Sequence, residues 1–336
     1  MALALSFSQE EGDGLFLCNW AKYLKLDEEL EKIEARSDLD DLSDLRNLIQ
    51  REPDFLDARV SLGMHCYRND DFGNAKAVAE TGLAVAKELI PARFKGTIAW
   101  LRVENRAFLR LLSLAALSNA RLGRHGEALA HIMRSMKYNP DDELGLRGVL
   151  GSELLRTGED ATAKRCLANH APDFPECFYE LGLAHLLDEE WALAATALRQ
   201  GFLVNPYIAE IITGCDKPMM QTYWHGEKTH MPSHGLEYMA MYGKLWHALP
   251  EFSVFVRWLF CHPVILAERA EVQACREQLL WTERFSVRKQ INRKLEALLA
   301  RCDHEVSERL VQAKANKRGV EMYPWMRCAG QEVATW

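Results

Sequence analysis

Cys215, His225, His230 and His234 bring one thiol and three imidazoles within twenty residues of chain. These are the ligand types that hold zinc. They fall in Gly214 to His234 (GCDKPMMQTYWHGEKTHMPSH), a stretch rich in Gly, Pro, His and polar residues. That composition predicts an irregular, partly exposed loop. The spacing matches no zinc finger or ribbon, and the chain contains no Cys-x-x-Cys pair. The loop histidines therefore read as polar surface, and no metal is expected. Cys261 and His262 are sequence neighbours; on a helix, adjacent side chains diverge by about 100° and do not face each other. Gly-x-Ser-x-Gly, His-Glu-x-x-His, the phosphate-binding P-loop and Gly-x-Gly-x-x-Gly are all absent. No catalytic residue and no cofactor is expected, and the chain reads as one that binds rather than catalyses.

Two further groups concern binding. Residues 284–320 hold ten Lys and Arg against four Asp and Glu. Such a stretch, with Lys289, Arg293 and Lys294 at its centre and Trp281, Phe285 and Trp325 available for stacking, has the charge of a nucleic-acid arm. Its cations interleave with Leu295, Leu298, Leu299, Val306, Leu310 and Val311 at helical spacing. A solvated cationic helix face, or a dock for acidic protein, fits the same pattern. The tail carries Tyr323-Pro324-Trp325-Met326. This resembles the hexapeptide docking motif of homeodomain proteins, and without a homeodomain only its physics carries over. Proline sets an aromatic plug in extended form. The plug can meet a partner or cover the end of the fold.

Composition bounds the rest. Of 336 residues, 48% are apolar, enough for a sizeable core. Nine cysteines occur singly, and Cys66 and Cys166 occupy apolar-periodic positions. That is reduced, cytoplasmic usage rather than a disulfide framework. The first residues, MALALSFSQEEGDG, have neither a basic start nor a sustained apolar run, so no secretory signal is expected. The longest apolar stretch, Phe252 to Ala267, is interrupted by Arg257, His262 and Pro263, so no membrane span is expected. Net charge is −7, but residues 1–57 hold fifteen Asp and Glu against six Lys and Arg. The acidic start and basic end are complementary to each other, or to partners of opposite sign.

The elements that would position a binding surface recur. Glu176 to Pro206 contains Leu181-Gly182, Trp191, Ala194 and Pro206. Gly182 is small where two helices must approach, Trp191 supplies apolar bulk at the start of the second, and Pro206 stops it. Arg110 to Pro140 repeats the scheme with Ala116, Gly123, Ala128 and Asn139-Pro140; Asp57 to Leu83 with Leu62-Gly63, Phe72 and Ala75; Leu144 to His170 with Gly151, Gly158, Ala163 and Leu167. These residues resemble the tetratricopeptide (TPR) repeat. The array is degenerate: its helix starts carry Arg59, Leu112 and Arg147 where the family has an aromatic, and an insertion separates the first two units.

The resemblance implies an all-α, right-handed α-solenoid followed by additional C-terminal helices. Five segments are expected: an acidic start (1–42), the repeat array (43–206), the loop (207–234), a helical region (235–320) and the aromatic tail (321–336). Within the array, helices at 56–68 and 72–89 form the first unit. The insertion Ala92 to Glu104 is expected to extend the next helix backward, and Ser43 to cap a helix from Asp44. His304 to Arg318 is expected to be one amphipathic helix, and no strand is expected.

The resemblance also implies a protein partner held on the inner face of each first helix. At those offsets stand Val60, Met64, Tyr67 and Arg68, then Arg110, Ser113, Leu117 and Arg121, then Ser152, Leu155 and Arg156, then Glu176, Tyr179, Leu183, Leu186 and Leu187. The Lys, Asn and Arg set that grips a C-terminal carboxylate in this family is missing. What remains is an apolar groove with Arg68, Arg121 and Arg156 at helix ends. It suits an amphipathic or extended partner segment with acidic flanks, although a cation at a helix end also complements the helix dipole. The implied function is a cytoplasmic adaptor or scaffold within a multiprotein assembly. The alternative is a nucleic-acid-associated subunit using residues 284–318.

Overall fold

The structure, a computed structural model, describes residues 3–10, 12–36, 42–315 and 318–326. The acidic residues 38–41 and the tail beyond Met326 lie outside them. The fold is all-α, with sixteen α-helices and two short antiparallel hairpins among the described residues. By its contacts the chain divides into two compact units, 1–153 and 154–336, and the division falls inside α7 (Arg147–Arg156).

The first unit opens with a correction. Where no strand is expected, β1 (Ser6–Glu10) and β2 (Asp13–Leu17) pair as an antiparallel hairpin. Phe7 meets Phe16 and Phe94 edge-on at 5.2 and 5.1 Å, and Phe16 packs 5.2 Å from Phe108. Burying these rings outweighs local helix preference, and a strand of five residues is too short for its alternation to stand out in sequence. Helix α1 (Trp20–Glu34) then starts at Asn19, whose Oδ1 accepts from the Lys22 amide at 3.1 Å. Helix α2 covers Ser43–Arg51; Leu42 takes the cap position, and Ser43 is the first helical residue rather than the cap.

Helices α3 (Leu56–Arg68) and α4 (Phe72–Leu89) form an antiparallel pair, followed by α5 (Arg106–Arg121) and α6 (His125–Tyr138). The insertion does not lengthen α5. Residues 92–102 run irregularly into a 3-10 turn at Val103–Asn105. They turn back to the β-hairpin: Gly14 N–H donates to Thr97 O at 2.7 Å, and buried Asn105 accepts from Phe16 N–H and donates to Gly14 O and Ala99 O. Gly96 lies so close to the Gly12 carbonyl that no side chain fits there. Three satisfied bonds on one buried amide fix this path better than extra helical turns would.

The second unit contains α8 (Asp160–His170), α9 (Pro175–Leu187), α10 (Trp191–Val204), α11 (Pro206–Ile212), α12 (Pro232–Ala248), α13 (Pro250–Phe260), α14 (Pro263–Trp281), α15 (Phe285–Ala300) and α16 (His304–Val311). Helix α10 is its hub and packs against α9, α11, α13, α14, α15 and α16. It crosses α9 at Gly182, where an added Cβ would stand 2.6 Å from Leu198. Helix α16 is shorter than expected. No large apolar residue follows Val311 until Val320, so a longer helix would have nothing to bury. The chain instead pairs β3 (Lys314–Ala315) with β4 (Glu321–Met322).

One local device recurs in all four predicted units. The residue closing the first helix of each pair adopts positive φ: Asp70 (+59°), Gly123 (+71°), Gly158 (+81°) and Glu189 (+57°). The following amide bonds the carbonyl five residues earlier, Asp71 to Cys66, Arg124 to Asn119, Glu159 to Leu154 and Glu190 to His185, at 2.9–3.0 Å. This closes the exposed helix end with its own carbonyls satisfied.

Candidate functional site

Seven of the expected inner-face residues come together in the first unit. On α3, Val60, Met64, Tyr67 and Arg68 share one face at steps of four, three and one; on α5, Arg110, Ser113 and Leu117 do the same. With Glu34, Ser61, Leu114 and Leu144 they line one open groove of about 410 Å³. Its lining is mixed. Val60, Met64, Leu114 and Leu117 are apolar and largely covered, whereas Arg68 and Arg110 are exposed. Glu34 bonds Ser61 and so ties α1 to the same wall. Arg110 lies over the Trp100 ring at 5.4 Å, held by the insertion. Its charge also acts on Asp57, whose carboxyl is raised by burial and partly brought back down by the Tyr23 hydrogen bond and by Arg110. The groove therefore offers an apolar strip with cationic edges, which suits an apolar segment bearing carboxylates.

Arg121 is not part of that lining. Its guanidinium sits 4.3 Å from the Phe72 ring centroid and bonds Asp70 at 3.2 Å, which ties α5 to the α3–α4 turn. Glu34 and Leu144 do line the groove, although they belong to elements outside the expected inner faces. A signal for Glu34 existed in the apolar stripe Leu26, Leu30 and Ile33: Glu34 follows Leu30 by four residues and stands at the exposed edge of that stripe.

In the second unit the expected inner-face residues Leu155, Glu176, Tyr179, Leu183 and Leu186 are buried, which corrects the reading of Tyr179 and Leu183 as partner contacts, whereas Leu187 at the end of α9 is exposed. Tyr179 and Leu183 are fully buried, and Tyr179 Oη donates to Asn205 O at 2.5 Å. Helix α12 lies on α9 and covers this face. Arg156 is held by Glu180 (Nη1 to Oε2 2.5 Å, Nη2 to Oε1 3.2 Å) and stacks 4.3 Å from the Tyr242 ring. Tyr238 Oη donates to Glu180 Oε1 at 2.7 Å and accepts from Trp246 Nε1 at 2.8 Å. Every charge in this network has a partner, as burial requires. The apolar inner face read from α9 is thus filled by the chain's own aromatics.

Lys289, Arg293 and Lys294 are exposed on α15. Trp325, read with them, stands apart at 5% exposure. Its ring lies 5.0 Å from Trp191, 4.7 Å from Phe255, 5.4 Å from Trp258 and 4.7 Å from Tyr323. Trp325 is therefore an internal plug against α10 and α13.

The histidine loop is likewise dispersed. His225 stacks on Tyr223 and Tyr207 and lies 2.8 Å from Tyr207 Oη; His230 Nδ1 meets His225 O; His234 Nε2 meets Glu176; Cys215 is exposed. Among the described residues no three His, Cys, Asp or Glu side chains gather as a metal cage requires. No helix among them is long and apolar enough to cross a membrane. No protein-family model matches the chain, and no curated protein matches it significantly.

Proposed function

We propose that the chain is a non-catalytic adaptor of the tetratricopeptide-repeat type, cytoplasmic and part of a multiprotein assembly, whose first two helical pairs hold a partner protein segment. The observation carrying this reading is the single groove lined by Met64, Tyr67, Arg68, Arg110 and Leu117. An amphipathic segment with acidic flanks complements it: apolar side chains fill the strip, and carboxylates pair with the two exposed guanidiniums. The four recurring left-handed turns support the repeat reading independently of residue identity. The partner surface narrows to the first unit, because Arg156, Tyr179 and Leu183 are engaged internally.

Selection of displayed random peptides on the full chain tests the proposal. The expected winners carry apolar residues at helical spacing flanked by Asp or Glu. Arg68→Glu with Arg110→Glu should weaken them by about tenfold or more, as expected for losing charge-assisted bonds. Winners without acidic flanks, or winners indifferent to both substitutions and to Leu117→Lys, overturn it.

A further inference from the structure

The junction of α14 and α15 exposes two large aromatic rings. Trp281 ends one helix and Phe285 begins the next, and they are 77% and 80% exposed. The bend itself is fixed. Arg288 Nη1 donates to Leu279 O at 2.5 Å and Thr282 O at 2.8 Å, and its guanidinium lies 5.6 Å from the centroid of the Trp224 ring. The apolar side of α15 is spent inward, where Ile291 and Leu295 pack with Val272, Cys275 and Leu279 of α14. The outward side carries Phe285, Lys289 and Arg293 at four-residue steps, with Lys294 beside them. Each step is about 6 Å along the helix.

We infer that this ridge binds single-stranded nucleic acid, a function separate from the groove and independent of it. Trp281 and Phe285 stack on unpaired bases, and Lys289, Arg293 and Lys294 line up along the phosphates. Rings with both faces in water, followed by a file of cations, meet the two requirements of sequence-tolerant strand binding. A duplex keeps its bases stacked and leaves the rings unused. An acidic peptide satisfies the cations but has no need of two bare rings. A membrane is disfavoured by exposed Glu283, which lies between the rings in sequence and would enter the lipid interface with them; in base stacking it stays in water.

Fluorescence anisotropy of labelled oligo(dT) and oligo(U), about 20 nucleotides long, tests the inference on the full chain at about 50 mM salt with titration upward. Binding is expected to favour single strands over duplex, to fall steeply with salt and to quench tryptophan emission. Trp281→Ala with Phe285→Ala should weaken it about tenfold or more and remove the quenching. Lys289→Glu with Arg293→Glu should weaken it and flatten the salt slope. All four side chains are exposed, so circular dichroism should stay unchanged. Absence of binding at low salt, equal affinity for duplex, or insensitivity to the aromatic pair overturns the inference. So does loss, on the same substitutions, of co-sedimentation with phosphatidylserine vesicles by a chain that ignores oligonucleotides.

Discussion

His234 makes a proton-linked contact. Its Nε2 lies 2.8 Å from Glu176 Oε2, and both side chains are largely shielded from water. Burial alone would lower its pKa, but the Glu176 hydrogen bond and charge, helped by Glu237, lift it above the ordinary value of about 6.5. A histidine with a raised folded pKa stabilises the fold in its charged form. That contribution is complete below about pH 6.5 and disappears as pH climbs through the raised value. His225 and His230 have the opposite sign, because burial lowers both. Each favours the fold when neutral and turns against it as pH drops through its lowered value. Substituting His234→Gln should therefore remove a decline in urea midpoint on the alkaline side of about 6.5 while leaving the acid-side loss from His225 and His230 in place. Below that pH the variant should be less stable by about 1.5–3 kcal/mol, the scale of a hydrogen bond to a charged group. Parallel midpoint-against-pH curves for the two proteins would refute the assignment.

At the scale of the element, the four left-handed turns differ in residue rather than in geometry. Gly123 and Gly158 adopt positive φ without penalty, while Asp70 and Glu189 carry a Cβ there. Glu189 is exposed and bounded on both sides by helix. Glu189→Gly should stabilise the α9–α10 pair by about 0.5–1 kcal/mol, because relief of the Cβ strain exceeds the added entropy of the unfolded chain. A urea midpoint that falls would show that the turn is unstrained. The turns also show what sequence can reveal. Helices α3, α4, α9 and α10 were legible because each bounds its apolar period with a polar turn, a glycine or a proline. The β-hairpin and the course of the insertion were not, since Phe16 and Asn105 find their partners some ninety residues away. The groove residues on α3 and α5 were named from the offsets that the tetratricopeptide resemblance implies. The filling of α9 was not legible, because Glu180, Tyr238 and Trp246 are brought together only by the packing of α12.

On the scale of the whole molecule, the two proposed surfaces rest on separate sets of residues. The groove uses only side chains between Glu34 and Leu144, whereas the ridge uses only side chains beyond Trp224. The ridge depends on α10, since Leu203 packs with the α14–α15 pair. Arg199, 1% exposed, forks onto Glu268 of α14 at 2.6 and 3.1 Å and reaches Asp303 O and Ser307 Oγ at 2.7 Å. Arg199→Leu leaves the Glu268 carboxylate and the Asp303 carbonyl without that partner and should cost about 3–5 kcal/mol. Hydrogen exchange should then show lost protection across α10, α14, α15 and α16, while α3, α4 and α5 keep theirs. Oligonucleotide binding should weaken together with that protection, and selection of acidic-flanked peptides should persist. The converse substitution, Leu117→Lys, should remove peptide selection and leave the anisotropy titration unchanged. If either substitution abolishes both activities with the fold intact, the two surfaces are one site, and the separate assignments of groove and ridge fail together.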